Sequence, residues 1–186
     1  NDEIGKQLGY KYANAFLMIV DPLSVRDYRD EIKGEIDISL YKASIRDMDE
    51  VLNTLILILE NMKCLTAKTM IKTDVCVVFA KGDIPGLDDK IGMSAIQRYM
   101  QENNVRSKYD AANAVCENFL RQYSEENFLN SLKSKFKSVQ FFTSSALGHV
   151  QNGEGFIGEG VEEPVLWLID KVSLSINLRS LWGKKI

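Results

Sequence analysis

The chain has few of the residues and patterns that mark several common protein classes. Its 186 residues include one histidine and three cysteines, and the formal net charge is -3. No apolar run reaches the length of about 18 residues that a membrane-spanning helix needs, and no signal peptide is visible. The slightly negative charge argues against a nucleic-acid binder that relies on a basic face. We therefore expect a cytoplasmic protein with no membrane span and no nucleic-acid partner.

The scarce reactive side chains form no recognisable catalytic or metal-binding motif. Cys64, Cys76 and Cys116 lack the spacing of zinc ligands, so we interpret them as free buried thiols in a reducing compartment. His149 has no triad partners in a recognisable order, and we interpret it as a surface residue rather than a general base. The pair Asp88-Asp89 is interpreted as an exposed acidic turn rather than a cation site. The sequence therefore predicts no metal ligand.

The composition is that of a globular domain. Apolar residues make up 45% of the chain, and its length is enough for one domain with its own core. Because the chain begins in a polar stretch without a methionine, we expect it to be a piece of a longer protein. Residues 1–186 are therefore predicted to form a single domain to which further chain contributes.

Three continuously apolar runs predict parallel strands that are buried on both faces, at residues 12–20, 75–80 and 139–143. Helical spacing predicts helices over residues 47–62, 91–103, 109–123 and 128–136, with Ser44 or Asp47 capping the first of them. A last helix is predicted from Glu162, with Pro164 in its first turn. This alternation predicts an α/β fold with three layers, α/β/α, around a parallel sheet. Since three strands make a thin sheet, we expect more strands to pair with it, from a missing segment or a partner.

Polar residues follow each predicted strand. Asp21 ends the first, Ala80-Lys81-Gly82-Asp83 ends the second, and a segment containing Ser145-Ala146-Leu147 ends the third. Ligands of open α/β sheets bind at the carboxyl ends of the strands, so we expect the three segments to lie at one edge. Lys81 and Asp83 are also compatible with an ordinary turn, in which the lysine lies on the surface and the aspartate accepts from backbone amides.

The second and third segments together resemble the guanine-specificity motifs of P-loop GTPases, Asn/Thr-Lys-x-Asp and Ser-Ala-Lys/Leu, each of which follows a strand. The resemblance covers most of the chain, from residue 12 to residue 175, and within the family it points to the translation-factor-related branch of bacterial GTPase-like domains. It implies a P-loop NTPase-like fold of which this chain supplies the C-terminal half, with an extra helical insertion at about residues 107–137 before the last strand. The chain departs from the family at Ala80, where asparagine or threonine is usual.

The resemblance also implies roles for four residues in binding guanine. The ionised carboxylate of Asp83 would accept hydrogen bonds from N1–H and the exocyclic amine of the base. The aliphatic stem of Lys81 would lie along the ring. Ser145 and Ala146 would close the far side, with the backbone N–H of Ala146 donating to O6. The implied ligand is therefore GTP or GDP with Mg²⁺.

The sequence lacks the phosphate-binding string G-x-x-x-x-G-K-[S/T]. Residues 153–158 match G-x-G-x-x-G, but Glu154 and Glu159 would repel phosphate, and we interpret the stretch as a flexible loop. Residues 2–5 match the Mg²⁺-side motif Asp-x-x-Gly but lie too close to the first strand. No catalytic residue is predicted, and GTP hydrolysis is expected only if a missing N-terminal part supplies a P-loop.

Two alternatives remain at this point. One is a nucleotide-free, GTPase-like interaction module whose helical insertion binds a protein partner. The other is a different Rossmann-like binding domain.

Overall fold

The fold is α/β and is built on a parallel sheet of three strands. The computed structural model describes residues 9–41, 43–44, 46–146 and 158–176, with side chains up to residue 172. Strands β1 (Ala15–Val20), β2 (Ile71–Phe79) and β3 (Phe136–Thr143) pair in the order β1-β2-β3. Both pairs are parallel, so all three carboxyl ends lie at the same edge. The prediction of a parallel α/β fold is confirmed.

Seven α-helices lie wholly within the described residues: α1 (Arg26–Ile32), α2 (Met48–Met62), α3 (Asp88–Ile91), α4 (Met93–Glu102), α5 (Lys108–Gln122), α6 (Glu126–Lys135) and α7 (Glu162–Ile176). Two short 3-10 helices, Pro22–Ser24 and Ile38–Leu40, lie between β1 and α2. Asp47 caps α2, because its carboxylate accepts from the N–H groups of Asp49 and Glu50 at 2.8 and 3.3 Å. The sequence predicted Ser44 or Asp47 as the cap of this helix, and Asp47 is the residue that caps it.

The helices cover both faces of the sheet unequally. The larger core lies on one face, where Val77, Phe79 and Phe141 meet helices α1, α2, α4, α5 and α6. On the opposite face Cys76, Val78 and Phe142 are buried beneath Trp167 and Leu168 of α7. This arrangement gives layers of helix on either side of the strands.

One predicted helix begins two residues later than expected. The helix predicted over residues 91–103 is α4, which starts at Met93; a separate short helix, α3, ends at Ile91, and Gly92 lies between them in an extended conformation (φ -84°, ψ -162°). A Cβ atom at Gly92 would collide with the Asp88 carboxylate, which accepts hydrogen bonds from the N–H and hydroxyl of Ser94. The helical spacing continues across the break, which is why the sequence pattern did not reveal it.

The three cysteines are free, but they differ in their exposure. Cys76 and Cys116 are buried, and burial raises the pKa of each thiol to about 12. Such thiols stay protonated and unreactive at neutral pH. Cys64 is exposed, so the expectation that all three are buried is wrong for this residue. It follows the end of α2 in a turn, where its backbone has a φ of 51°.

Strand β1 forms an edge of the described sheet. Its side chains Leu17 and Ile19 are 43% and 67% exposed, and they lie on the face that α7 covers over β2 and β3. No strand among the described residues pairs with the outer edge of β1. The expectation of additional strands therefore stays a prediction. None of the helices described here is long and apolar enough to cross a membrane.

Tyr28 is the one described side chain that buries a polar atom without a hydrogen-bond partner. Its ring is wholly inaccessible and packs edge-on against Phe119 and Tyr123, with centroids 5.2 and 5.4 Å apart. The neighbouring Tyr123 hydroxyl, in contrast, donates to Glu31 and accepts from Lys90, both at 2.9 Å. The two tyrosines therefore provide a matched pair.

We expect Tyr28→Phe to leave the free energy of unfolding unchanged or to raise it by up to about 1 kcal/mol, because it removes a buried hydroxyl that has no partner. Tyr123→Phe should lower it by about 1 kcal/mol, because two hydrogen bonds are lost. Urea unfolding of both variants measures the difference. Equal destabilisation by the two substitutions would contradict the assignment of the Tyr28 hydroxyl as unpaired.

Candidate functional site at the carboxyl edge of the sheet

The segments that follow β1, β2 and β3 are joined by backbone hydrogen bonds. The Ala80 N–H donates to the Val20 carbonyl at 2.9 Å, and the Ser144 N–H donates to the Phe79 carbonyl at 2.8 Å. The Gly82 N–H then donates to the Ser144 carbonyl at 3.0 Å. These bonds continue the parallel pairing beyond the strand ends, so the loops are held side by side.

Asp83 and Ser145 meet across this edge although they are 62 residues apart. The Ser145 hydroxyl donates to Asp83 Oδ1 at 2.5 Å. Ser145 is only 2% exposed, and its backbone exchanges two 2.8 Å hydrogen bonds with Glu159. The donor to Asp83 is thus fixed by both its burial and its backbone.

Gly160 makes the approach of this Glu159 segment to the sheet edge feasible. Its φ is +63°, a conformation that side chains disfavour. A Cβ at this position would also collide with the Thr143 carbonyl oxygen. Glycine therefore allows the chain before α7 to reach Ser145.

Lys81 extends toward the neighbouring loop and pairs with Asp21. The distance from Lys81 Nζ to Asp21 Oδ2 is 2.7 Å, and the two side chains are 30% and 10% exposed. The backbone of Lys81 has a φ of +56°, which is uncommon for a residue with a side chain. The ion pair gives the Lys81 ammonium a fixed partner, which a turn lysine that only contacts water would lack.

Lys81, Asp83 and Ala146 line one cavity of about 570 Å³, which is within the usual range for small-molecule sites. Its walls are mainly apolar and include Leu17 and Ile19 of β1 and Pro164 and Val165 of α7. Ser145 lies behind the cavity and reaches it through Asp83. The site is therefore a mainly apolar cavity whose charged groups are the Asp83 carboxylate and the Lys81 ammonium, which we call its polar end.

Two further wall residues, Leu40 and Tyr41, were not identified from the sequence. Leu40 ends the 3-10 helix Ile38–Leu40 and is 79% exposed, and the half-buried Tyr41 follows it. No motif in this stretch distinguishes the two residues from those of an ordinary surface loop.

A second, smaller cavity of about 80 Å³ lies near Ser145, Tyr109 and Gly82. The ion pair between Lys108 and Glu163, at 3.2 Å, stands at its wall. Lys81, Asp83 and Ala146 do not line this smaller cavity, so the cavity of about 570 Å³ that they do line is the candidate site.

The remaining sequence candidates are placed as follows. Trp167 is partly buried and packs edge-on against Phe142, with centroids 6.3 Å apart. Asp88 and Asp89 lie in the first turn of α3, where Asp88 accepts from Ser94 and the Asp89 carboxylate lies 3.9 Å from Arg98. Residues 2–5, Leu147, His149 and residues 153–157 of the glycine-rich stretch lie outside the described residues.

The described residues of the site show no evident metal-binding cluster. No cluster of three or more histidine, cysteine, aspartate or glutamate side chains there is arranged to hold a metal ion. The described residues that line the cavity are mainly apolar, with one carboxylate, that of Asp83, and one ammonium, that of Lys81.

The chain was compared with protein-family models, with curated proteins and with solved structures, and none of the three comparisons gives a significant match.

Proposed function

We propose that the chain is a P-loop GTPase-like domain whose 570 Å³ cavity binds the base of a guanine nucleotide. The observation that carries this proposal is the 2.5 Å hydrogen bond from Ser145 to Asp83. It joins two motifs that are distant in the sequence into one rigid acceptor at the polar end of the cavity. A surface turn has no need of a buried serine that orients its aspartate.

The chemistry of this end suits guanine better than adenine. Guanine presents two adjacent donors, N1–H and the exocyclic amine, and an ionised carboxylate offers two acceptors. Adenine has an acceptor at N1, which would face the carboxylate of Asp83 unfavourably. The stem of Lys81 provides an apolar surface for the ring, and Ala146 allows the base to approach the backbone.

Hydrolysis of GTP needs groups that bind phosphates and Mg²⁺. The sequence has no P-loop string, and the described residues contain no cluster of three or more side chains arranged to hold a metal ion. GTPase activity is therefore part of this proposal only for a protein in which additional chain supplies a P-loop. No catalytic residue is assigned in this chain.

A second candidate, an interaction module that holds no nucleotide, is favoured by apolar side chains left at the surface. Leu17 and Ile19 of β1 are exposed, and so are Val165, Leu166 and Ile169 of α7. The helices of residues 107–137 bury their own apolar side chains in the core, so a partner would meet their polar faces. Titration with fluorescently labelled GDP, with and without Mg²⁺, separates the two candidates, because only the first predicts saturable binding.

We expect Asp83→Asn to exchange guanine for xanthine as the preferred base. An asparagine keeps one acceptor for N1–H and offers its amide hydrogens to the carbonyl that xanthine carries at C2. Charged hydrogen bonds contribute about 1.5–3 kcal/mol, so GDP affinity should fall roughly 10- to 150-fold while affinity for XDP rises. Competition of unlabelled GDP, XDP and ADP against labelled nucleotide measures the preference.

The matched control for this exchange is Asp89→Asn, which changes an exposed carboxylate in the following turn. It should leave the preference for guanine as it is. If Asp83→Asn binds GDP and XDP in the same ratio as the parent protein, Asp83 does not read the base.

We expect Ser145→Ala to reduce GDP affinity about tenfold, because Asp83 loses the hydroxyl that orients it. Ser94→Ala is the control, since it removes a hydroxyl that donates to another carboxylate, that of Asp88, outside this cavity. Thermal unfolding of both variants checks that the protein remains folded. Equal GDP affinities of the two folded variants would argue against an orienting role for Ser145.

A further inference from the structure

The carboxylate of Asp21 joins three separate parts of the candidate site. Its Oδ2 accepts from Lys81 Nζ and from the Ser44 N–H, both at 2.7 Å. Its Oδ1 accepts from the Leu23 N–H at 3.0 Å, which caps the 3-10 helix Pro22–Ser24. The side chain is only 10% exposed. Because the Asp21 carboxylate accepts three hydrogen bonds and is mostly shielded from water, it holds Lys81, Ser44 and Leu23 in fixed positions.

The first partner, Lys81, is thereby restrained at both ends. Its backbone is in the left-handed region and its ammonium is paired with Asp21. Lysine loses rotamer freedom when a ligand orders it, and a side chain that is already ordered avoids that cost on binding. The stem of Lys81 is thus prepared to receive a flat ring.

The ion pair between Lys81 and Asp21 also keeps the Lys81 ammonium from pairing with Asp83. Lys81 and Asp83 are two residues apart and line the same cavity. An ammonium released from Asp21 would be drawn to the carboxylate of Asp83, because opposite charges attract strongly in a partly desolvated site. Such a pair would compete with the donors of a base for the same oxygens.

The second partner connects the cavity wall to the lysine. Ser44 follows the segment that places Leu40 and Tyr41 at the cavity, and its N–H shares an oxygen of Asp21 with Lys81. The wall and the lysine are therefore fixed by one group. Removing that group should loosen both together.

We propose that Asp21 is a positioning residue of the base site, which holds Lys81 away from Asp83 and ties the Leu40–Tyr41 wall to it. This inference rests on the proposed binding of a guanine nucleotide. It extends that proposal because Asp21 does not itself line the cavity and follows a different strand.

The test uses Asp21→Ser in the intact protein, because serine retains an acceptor for the Leu23 N–H but removes the charge. Asp47→Ser is the matched control. Asp47 caps α2 in the same way, by accepting from the Asp49 N–H at 2.8 Å, but it has no hydrogen bond to Lys81, and α2 does not line the cavity. Asp21→Asn provides a second variant of similar size if the serine variant does not fold.

We expect Asp21→Ser to weaken binding of labelled GDP about tenfold or more, and Asp47→Ser to leave it unchanged. In the background of Lys81→Ala, the Asp21 substitution should weaken binding less than it does in the parent protein, because the part of its effect that passes through Lys81 is already lost. Fully additive losses would overturn the proposal, since they would show that Asp21 does not act through Lys81.

A second readout does not depend on nucleotide. In the nucleotide-free protein, Asp21→Ser should increase both the acetylation rate of the Lys81 amine and the hydrogen-exchange rate of the Ser44 amide, measured by mass spectrometry and NMR. Asp47→Ser should change neither. If the parent protein binds no GDP, the proposed function fails, and these two rates still decide whether Asp21 holds Lys81. Unchanged rates in Asp21→Ser would refute the inference.

Discussion

Burial of the central strand on both faces is the constraint on which the rest of the structure depends. From Val75 to Phe79, β2 is almost inaccessible, and it pairs in parallel with a neighbour on each side. Parallel pairing brings the carboxyl ends of all strands to one edge. Loops that are distant in the sequence therefore meet there. The hydrogen bonds from Ala80 to Val20 and from Gly82 to Ser144 follow from this register.

Two carboxylates with different partners give this edge its chemistry. Asp83 is oriented by a neutral hydroxyl, that of Ser145, whereas Asp21 is paired with the ammonium of Lys81. The Lys81 ammonium is therefore paired at the β1 side of the edge, and the Asp83 carboxylate at the cavity can still accept hydrogen bonds. The proposed recognition of a base and the proposed role of Asp21 both depend on this division. The apolar walls strengthen it, because they lower the local dielectric constant.

Much of the fold could be predicted because its signals are local. Continuous apolar runs indicated the three strands, and regular spacing indicated the long helices. The sequence offered Ser44 and Asp47 as caps of α2, and only the structure shows that Asp47 is used. The break at Gly92 was missed because the apolar spacing passes through it, and only the contact with Asp88 shows why the chain extends there. The exposure of Cys64 was missed because cysteine is usually buried, and no local pattern shows that the turn after α2 is open to solvent.

The sequence by itself determined the α/β class, the order of the strands along the chain and the polar residues that follow each strand. These properties follow from the side-chain period and from the chemistry of single residues. Only the tertiary structure decided that Ser145 orients Asp83, that Asp21 holds Lys81, and that Leu40 and Tyr41 close the cavity. Each of these contacts joins loops that no local pattern relates, because their meeting depends on the register and packing of the whole sheet.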